Sequence, residues 1–259
     1  MMKVTSVYTF KGGVGKTITT IIMAIAFALR GQKVLVIDID PQCNLTNFFV
    51  PNYEGLTLCD CIFEAHKVNT VIQATRFKNI SIIPASMNLV LSNDALIVAK
   101  GLTHLKFRKM IESLDEGFER CLIDCPPYYT ELVVNALFVS NEVIIPFQGD
   151  KNSQDAFHLV TKTLDDFNGE YSRRISYRGL FTGKKRNNND TKIYDEYLER
   201  DLIYDNAIRF QGKPADEMYS TGKSIFEKET GISKDYREFI EEYLLRESGK
   251  EYELSREFV

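Results

Sequence analysis

Residues 9–17, TFKGGVGKT, constrain the fold of this chain more than any other stretch. The segment ends as the phosphate-binding pattern G-x-x-x-x-G-K-[ST] does, but Phe10 stands where that pattern has its first glycine. Residues 3–9 alternate with β-branched side chains and predict a strand, and residues 17–30 predict a helix that Gly31 ends. A glycine-rich turn between a strand and a helix points backbone N–H groups at phosphate oxygens. The sequence therefore predicts a nucleotide-binding loop.

Apolar runs that predict further strands recur along the chain. Continuous runs of this kind are typical of strands covered on both faces of a parallel sheet. The predicted strands are 33–38, 79–84, 120–127, 141–147 and 175–182, and the predicted helices between them are at about 92–115, 129–139 and 152–168. This alternation predicts an α/β fold, a doubly wound, mostly parallel sheet with helices on both faces, in one domain over 1–259.

Composition narrows the classes of function. A net charge of −4 over 259 residues means that nucleic-acid binding would need a local basic patch. The longest apolar run, 21–29, is too short to span a bilayer, and no signal-peptide pattern opens the chain, so we expect a cytoplasmic protein. The five cysteines have neither zinc-site spacing nor an even count, which favours free thiols.

Three carboxylates follow predicted strands. Asp38 and Asp40 come at the end of the strand over 33–38, and Asp124 ends the strand over 120–127. Ligands of parallel sheets bind beyond the carboxyl ends of the strands, so these acids should lie beside the loop. There Lys16 would reach the β/γ-phosphates. The Thr17 hydroxyl would hold Mg²⁺ directly and Asp124 through water, while Asp38 or Asp40 could orient the attacking water.

These motifs resemble one family. KGGVGKT over 11–17, DIDPQ over 38–42 and DCPP over 124–127 are similar to the ParA/MinD group of deviant Walker ATPases. Later segments, EVIIPFQGD and IRFQGKPADEMYSTGKSIFEKE, extend the similarity over most of 3–245, and DPQ and PP favour the small ParA partition type over MinD. The resemblance implies ATP with Mg²⁺, and a homodimer in which Lys11 reaches the phosphates bound by the other subunit.

The resemblance also assigns roles. It implies that Asp40 positions water, that Asp38 supports the magnesium shell, and that residues 124–135 sense the γ-phosphate. The predicted catalytic residues are then Lys11, Lys16 and Asp40, the nucleotide contacts are Lys11, Gly12, Gly13, Val14, Gly15, Lys16, Thr17 and Ile18, and the metal residues are Thr17, Asp38 and Asp124. From the residues alone, Lys11 could equally be a solvated loop lysine.

Four positions depart from the family pattern. Ile18 replaces a threonine, Cys43 replaces a glycine, and Tyr128 and Tyr129 fill a loop where smaller residues are common. These changes bear on the rate of hydrolysis more than on nucleotide binding.

A basic segment occupies residues 173–192, where Asp190 is the single acid. The resemblance implies that the ATP-bound dimer binds DNA without sequence preference, and Lys184, Lys185 and Arg186 are the leading candidates for this contact. Weaker candidates are Arg173, Arg174, Arg178, Lys192, Arg209 and Lys213. The segment could instead be a solvated loop, or could serve the adenine end of the nucleotide.

The expected function is that of a nucleoid-associated partition ATPase, released from DNA by hydrolysis that a ParB-like centromere-binding partner stimulates. Residues 233–259 lack the basic face of a membrane-surface helix, so no membrane partner is expected. One alternative is a cargo-positioning or septum-placement ATPase with a different surface partner. Another is an electron carrier like nitrogenase reductase, although Cys125 has no suitable second cysteine downstream.

Overall fold

A seven-stranded sheet runs through the part of the chain that the computed structural model describes, residues 2–99, 103–115 and 117–249. The strands are β1 Lys3–Val7, β2 Val34–Asp38, β3 Gln73–Ala74, β4 Ile80–Ile83, β5 Arg120–Asp124, β6 Glu142–Phe147 and β7 Ser176–Phe181. Their order is β3-β4-β2-β5-β1-β6-β7, and every pair is parallel except β3 with β4. The predicted mostly parallel sheet is confirmed.

Helices cover both faces of this sheet. They are α1 Lys16–Leu29, α2 Asn44–Phe49, α3 Leu58–Cys61, α4 Val68–Val71, α5 Leu89–Val98, α6 Lys106–Glu112, α7 Glu131–Val139, α8 Lys151–Glu170, α9 Asn188–Glu199, α10 Gly212–Thr221 and α11 Gly231–Glu247. Alternate residues of one strand enter different cores. Leu35 and Ile37 of β2 pack into the core that contains α5 to α9, while Val34 and Val36 pack into the core that contains α1, α10 and α11. The sheet is thus doubly wound, as the apolar runs predict.

The start and end of α1 follow local sequence. Gly31 has φ +85°, a left-handed conformation that glycine adopts without a Cβ penalty, so it ends the helix as predicted. The predicted helix over 92–115 is wrong in its length. It is two helices, α5 and α6, because Ala99 is extended and ends α5. Asn135 of α7 then accepts hydrogen bonds from the backbone N–H groups of Lys106 and Phe107 at the start of α6.

The last strand that the patterns predict is over 175–182, and the structure adds α9, α10 and α11 after it. Residues 100–102 of the predicted helix and residues 250–259 of the tail lie outside the described residues. None of the described helices combines the length and the apolar character that crossing a membrane requires.

Candidate functional site

The glycine loop joins β1 to α1 at the carboxyl edge of the sheet. Gly13 and Gly15 have φ of +75° and +92°, so these two positions require glycine. A Cβ atom on Gly12 or Gly13 would meet no heavy atom within 4 Å, which leaves open space beside the loop. Thr182, just after β7, donates a hydrogen bond of 2.8 Å to the carbonyl of Val14 and fixes the turn from the side. The loop is therefore shaped and held as a phosphate-binding turn is.

The loop lysine, Lys16, lies inside this turn. Its side chain curls back so that Nζ donates to the carbonyl of Lys11 at 2.9 Å, and only 7% of the residue is exposed. Burial lowers the pKa of Lys16, although the charges of Asp124 and Asp40 oppose this shift. Because burial outweighs these two acids, further negative charge, such as a triphosphate would supply, would stabilise the ammonium.

Thr17 and Asp124 contact each other directly. The Thr17 hydroxyl donates to a carboxylate oxygen of Asp124 at 2.7 Å, so two predicted magnesium residues meet. Asp124 is almost fully buried, and this burial, with the nearby charge of Asp38, raises its pKa well above the ordinary value. A divalent cation would offset both the burial of Asp124 and the repulsion from Asp38, because it places a positive charge beside the carboxylate.

Asp38 is the neighbour of Asp124 in the sheet, since β2 and β5 pair these residues in register. One of its oxygens accepts hydrogen bonds from the backbone N–H and the hydroxyl of Thr46, at 2.8 and 2.7 Å. The other oxygen accepts from the N–H of Asp40 at 3.1 Å. Burial raises the pKa of Asp38 to about 6. Asp38 therefore anchors the turn that carries Asp40, besides lying where a magnesium shell is predicted.

Asp40 lies in the turn between β2 and α2. A carboxylate oxygen accepts from the N–H of Gln42 at 2.9 Å, and 8% of the residue is exposed. Cys43 closes this turn with φ +55°, a left-handed conformation in which a non-glycine residue costs about 1–2 kcal/mol. This conformation gives a physical reason for glycine being usual at that position. Burial raises the pKa of the Cys43 thiol to about 11, so it stays protonated at neutral pH.

No three carboxylate, thiol or imidazole side chains converge as a complete metal centre within the described ranges. Mg²⁺ in nucleotide sites usually takes only one or two carboxylates and completes its shell with water and phosphate oxygens. Thr17, Asp124 and Asp38 fit that partial donor set. All the donors are oxygens, which is the chemistry that Mg²⁺ prefers.

Lys11, the second lysine of the loop, binds a different part of the chain from Lys16. Its Nζ lies 2.6 Å from both carboxylate oxygens of Asp150, which follows β6. Its predicted contact with another subunit's phosphates stays a prediction. Sequence reasoning missed Asp150, although the rule that found Asp38 and Asp124 applies to it as well, because it too follows the carboxyl end of a parallel strand.

The remaining departures from the family pattern lie around the loop and its neighbours. Ile18 is half-buried and packs against the core on the α1 side of the sheet. Tyr128 and Tyr129 are 43% and 46% exposed on the loop after Asp124. Neither tyrosine blocks the space beside Gly12 and Gly13, where a Cβ meets nothing.

The three leading DNA candidates lie on the loop after β7. Lys184, Lys185 and Arg186 line one wall of a groove of about 690 Å³, together with Phe210 and Gln211. Lys184 is half-buried, with its ammonium 3.4 Å from the centre of the Tyr194 ring, and burial lowers its pKa. Lys185 and Arg186 are exposed. The last two residues are the better placed to meet a phosphate backbone.

Several weaker DNA candidates have partners within the chain. Arg173 donates to the carbonyl of Ser140 at 3.4 Å, and Arg178 pairs with Asp201 at 2.7 Å. Arg209 holds the buried Asp235 through its backbone N–H, at 2.8 Å, and its guanidinium, at 2.6 and 2.8 Å. These arginines connect parts of the fold, which makes them poor candidates for a mobile ligand.

The cysteines are all free, as the sequence predicts. Cys125, which the electron-carrier alternative needs, is fully buried, and its thiol donates to the carbonyl of Ile123 at 3.9 Å. Burial raises the pKa of this thiol, and the charge of Asp124 adds to the shift. The side chain therefore faces the interior of its own chain, away from any surface that a second subunit could share.

Known proteins resemble this chain in sequence and in fold. A family model described as an AAA domain matches residues 2–177. The chromosome-partitioning ATPase Soj of Treponema pallidum is 32% identical over 171 residues, which are 66% of this chain and 67% of that protein.

Two groups of solved structures share the fold at lower identity. The complex of Cyanothece McdA(D38A) with ATP superposes with a TM-score of 0.84 at 19% identity, over 98% of this chain and 99% of that one. Cobyrinic acid a,c-diamide synthase from Mycobacterium smegmatis, with bound ADP and magnesium, gives 0.81 at 22% identity, over 96% and 97% of the two chains. Given the family match, the sequence identity and the loop geometry, the chain belongs to the AAA domain family of the ParA/MinD type.

Proposed function

We propose that this chain is a partition ATPase: a single ATPase domain that binds ATP with Mg²⁺, pairs with a second copy around two nucleotides, and binds DNA without sequence preference in that state. One observation carries the proposal. Lys16 is buried inside the glycine turn, the Thr17 hydroxyl bonds to Asp124, and Asp40 lies beside them, all at one edge of the sheet. Enzymes of phosphoryl transfer use such a combination of a cation, a hydroxyl and acids to bind phosphates and Mg²⁺ and to orient water.

Different groups of the site would bind the phosphates and the Mg²⁺ ion. The backbone N–H groups from Gly12 to Thr17 and the start of α1 would hold the phosphates, and Lys16 would neutralise their charge. Thr17 and Asp124 would hold Mg²⁺, with Asp38 supporting its shell. When bound, the metal would polarise the phosphates and draw charge from the leaving group. Structures that share this fold contain ATP, or ADP with magnesium, which supports the assignment of these ligands.

Asp40 is the residue proposed to orient the attacking water. Asp40 is 8% exposed, whereas Asp38 is fully buried and has both oxygens occupied by hydrogen bonds from Thr46 and Asp40. The N–H of Gln42 holds the Asp40 carboxylate and so fixes its direction. A positioned carboxylate of this kind contributes about 10²–10⁴-fold to a reaction rate.

Lys11 is proposed to reach the phosphates bound by the second copy. A cation supplied across an interface stabilises the charge that spreads over the γ-oxygens, so triphosphate would become part of the contact between copies. Hydrolysis would remove that contact and return monomers. The similarity to a chromosome-partitioning ATPase supports DNA as the surface that the dimer binds, a nucleoid-associated location, and a ParB-like stimulating partner. A cargo-positioning ATPase would use the same nucleotide cycle with a different partner.

Sedimentation velocity with ATP, with ADP and without nucleotide, each with and without random duplex DNA, tests the proposal. The wild type is expected to form dimers and to bind DNA only with ATP. Lys11→Ala is expected to bind ATP as a monomer. Asp40→Ala is expected to hydrolyse ATP about a hundredfold more slowly and to remain a dimer on DNA, because the water is no longer oriented.

The control for both variants is Lys162→Ala, an exposed lysine of α8 remote from the loop in sequence. It should behave as the wild type does. Dimers that persist with ATP in Lys11→Ala would contradict the role of this lysine between subunits. Unchanged hydrolysis in Asp40→Ala would move the water-orienting role to another residue. DNA binding that is independent of nucleotide would contradict the proposed cycle.

A further inference from the structure

Lys11 and Asp150 form an ion pair on the exposed side of the glycine loop. The ammonium lies 2.6 Å from each oxygen of the carboxylate, a geometry in which both oxygens share one cation. The two side chains keep exposed fractions of 26% and 46%, so the pair lies at the surface of the site. Lys11 is therefore bound within its own chain. It would have to leave Asp150 before it could contact a second copy.

Asp150 is itself fixed in place. It caps the N-terminus of α8, where its side chain accepts from the N–H of Ser153 at 3.1 Å. The preceding Gly149 packs tightly against the first turn of α9. A Cβ there would lie 2.7 Å from a carboxylate oxygen of Asp190, and Asn189 donates to the Gly149 carbonyl at 3.2 Å. The carboxylate that holds Lys11 is thus anchored by two elements of the fold.

The charge of Asp150 persists at neutral pH. Burial alone would raise its pKa, but the hydrogen bonds from Lys11 and from the Ser153 backbone outweigh that effect and lower the pKa below the ordinary value. Lys11 consequently has an ionised partner whenever no stronger anion is present. A triphosphate carries more charge than one carboxylate, so it can displace Asp150 from the lysine.

We propose that Asp150 is a positioning residue that holds Lys11 within its own chain, so that dimer formation must break this ion pair in each copy. The inference rests on the proposed nucleotide-bridged dimer. In it, Asp150 competes with the partner's phosphates for Lys11 and sets how much protein is needed before dimers form. Exposed ion pairs are individually weak, and the dimer breaks two of them, so the threshold should shift by about two- to tenfold.

Asp150→Asn tests this proposal. Asparagine caps a helix as well as aspartate does, but it is neutral and forms no ion pair with the ammonium of Lys11. Dimer fraction is measured against protein concentration by sedimentation velocity at saturating ATP. Half-dimerisation is expected at a two- to tenfold lower concentration than in the wild type, with monomer affinity for ADP unchanged. Asp150→Ser, which also keeps a capping oxygen, should shift the threshold in the same direction.

The matched control is Asp155→Asn, on the same helix. Its carboxylate forms an exposed ion pair with Lys151 at 2.7 Å, so the substitution removes an equivalent charge without reaching Lys11. The dimer threshold of this variant should equal that of the wild type. An equal shift in Asp155→Asn would overturn the proposal, since general loss of negative charge would then explain the result.

The double variant Lys11→Ala/Asp150→Asn separates positioning from a structural role. If Asp150 acts through Lys11, the double variant and Lys11→Ala will have the same weak dimerisation. An effect of Asp150→Asn that survives without Lys11, or a threshold that does not fall when Lys11 is present, overturns the proposal. ATP-dependent dimers in Lys11→Ala alone overturn the proposed dimer mechanism instead, and with it the role of Asp150.

Discussion

The phosphate edge is the cluster of Lys16, Asp38 and Asp124 around the glycine loop. It and the basic segment over 173–192 are both clusters of charge, but their side chains are arranged differently. At the phosphate edge Lys16, Asp38 and Asp124 are at most 7% exposed, and each touches another polar group of the site. In the basic segment the side chains disperse. Arg178 is bound to Asp201, while Arg186 is exposed to solvent. The side chains of the phosphate edge converge on one place. Those of the basic segment separate, some into ion pairs within the fold and others into solvent.

This difference shows what each kind of sequence signal can establish. The glycine loop is a backbone motif, so its spacing fixes the direction of N–H groups and side chains over a few residues. A run of like charges fixes only the local charge, because long side chains from one segment reach in different directions. Lys184 over the Tyr194 ring and Arg173 at the Ser140 carbonyl illustrate this divergence.

The largest effect is expected at the converging cluster. Lys16→Ala should lower the rate of ATP hydrolysis by at least about 10²-fold, because the ammonium buried inside the turn would neutralise the charge of bound phosphates. Phosphate release measures the rate, and nucleotide binding is followed by calorimetry. The matched change Lys162→Ala removes an exposed lysine and should leave both unchanged. Turnover within a few-fold of the wild type in Lys16→Ala would refute the loop assignment.

A smaller effect is expected at the dispersed cluster. Replacing Lys184, Lys185 and Arg186 with alanine should weaken binding of random duplex DNA about tenfold at low salt. The dependence of log K on log salt should also become shallower, by about one for each lost phosphate contact. Fluorescence anisotropy at several salt concentrations measures both quantities.

Arg178→Ala is the control for this comparison, since its guanidinium is bound to Asp201. It should lower the thermal unfolding temperature without changing the salt dependence of DNA binding. Undiminished DNA binding in the triple variant would direct attention to Lys213, which is exposed. Loss of ATP binding in that variant would instead assign the groove beside Phe210 to the nucleotide.

The smallest effect concerns pH. Burial raises the pKa of Asp38 to about 6 and raises that of Asp124, whereas the unfolded value is about 4. The folded chain then binds protons more tightly than the unfolded chain does, so its free energy of unfolding falls as pH rises from about 4 through 6. Mg²⁺ compensates the ionised acids. With ADP present, it should therefore raise the unfolding temperature by a few degrees more at pH 7.5 than at pH 5.5.

Differential scanning fluorimetry with ADP, in Mg²⁺ or in EDTA, measures this difference. Asp124→Asn, which keeps an oxygen to accept from Thr17, should remove most of the pH dependence of the magnesium effect. An equal magnesium effect at both pH values in the wild type would contradict the involvement of these buried acids.

The sequence alone predicted six of the seven strands and the glycine loop, because these depend on short-range patterns, but it missed the two-residue strand β3. Continuous apolar runs specify strands covered on both faces, and Gly13 and Gly15 provide conformations that other residues avoid. The sequence also predicted that Asp38 and Asp124 end strands, whereas the pairing of β2 with β5 that brings them side by side is known only from the structure. The start of α6 did not follow, because its first backbone N–H groups are bound by Asn135 of another helix.

Only the tertiary structure decided the partners of long, flexible cations. Lys11 and Asp150 are 139 residues apart, and they meet because β1 and β6 are neighbours in the sheet, so the loops that follow these strands share one edge. Strand order results from crossover connections that no local pattern encodes. The sequence therefore shows which residues form the phosphate loop, and the fold determines which acid holds its second lysine.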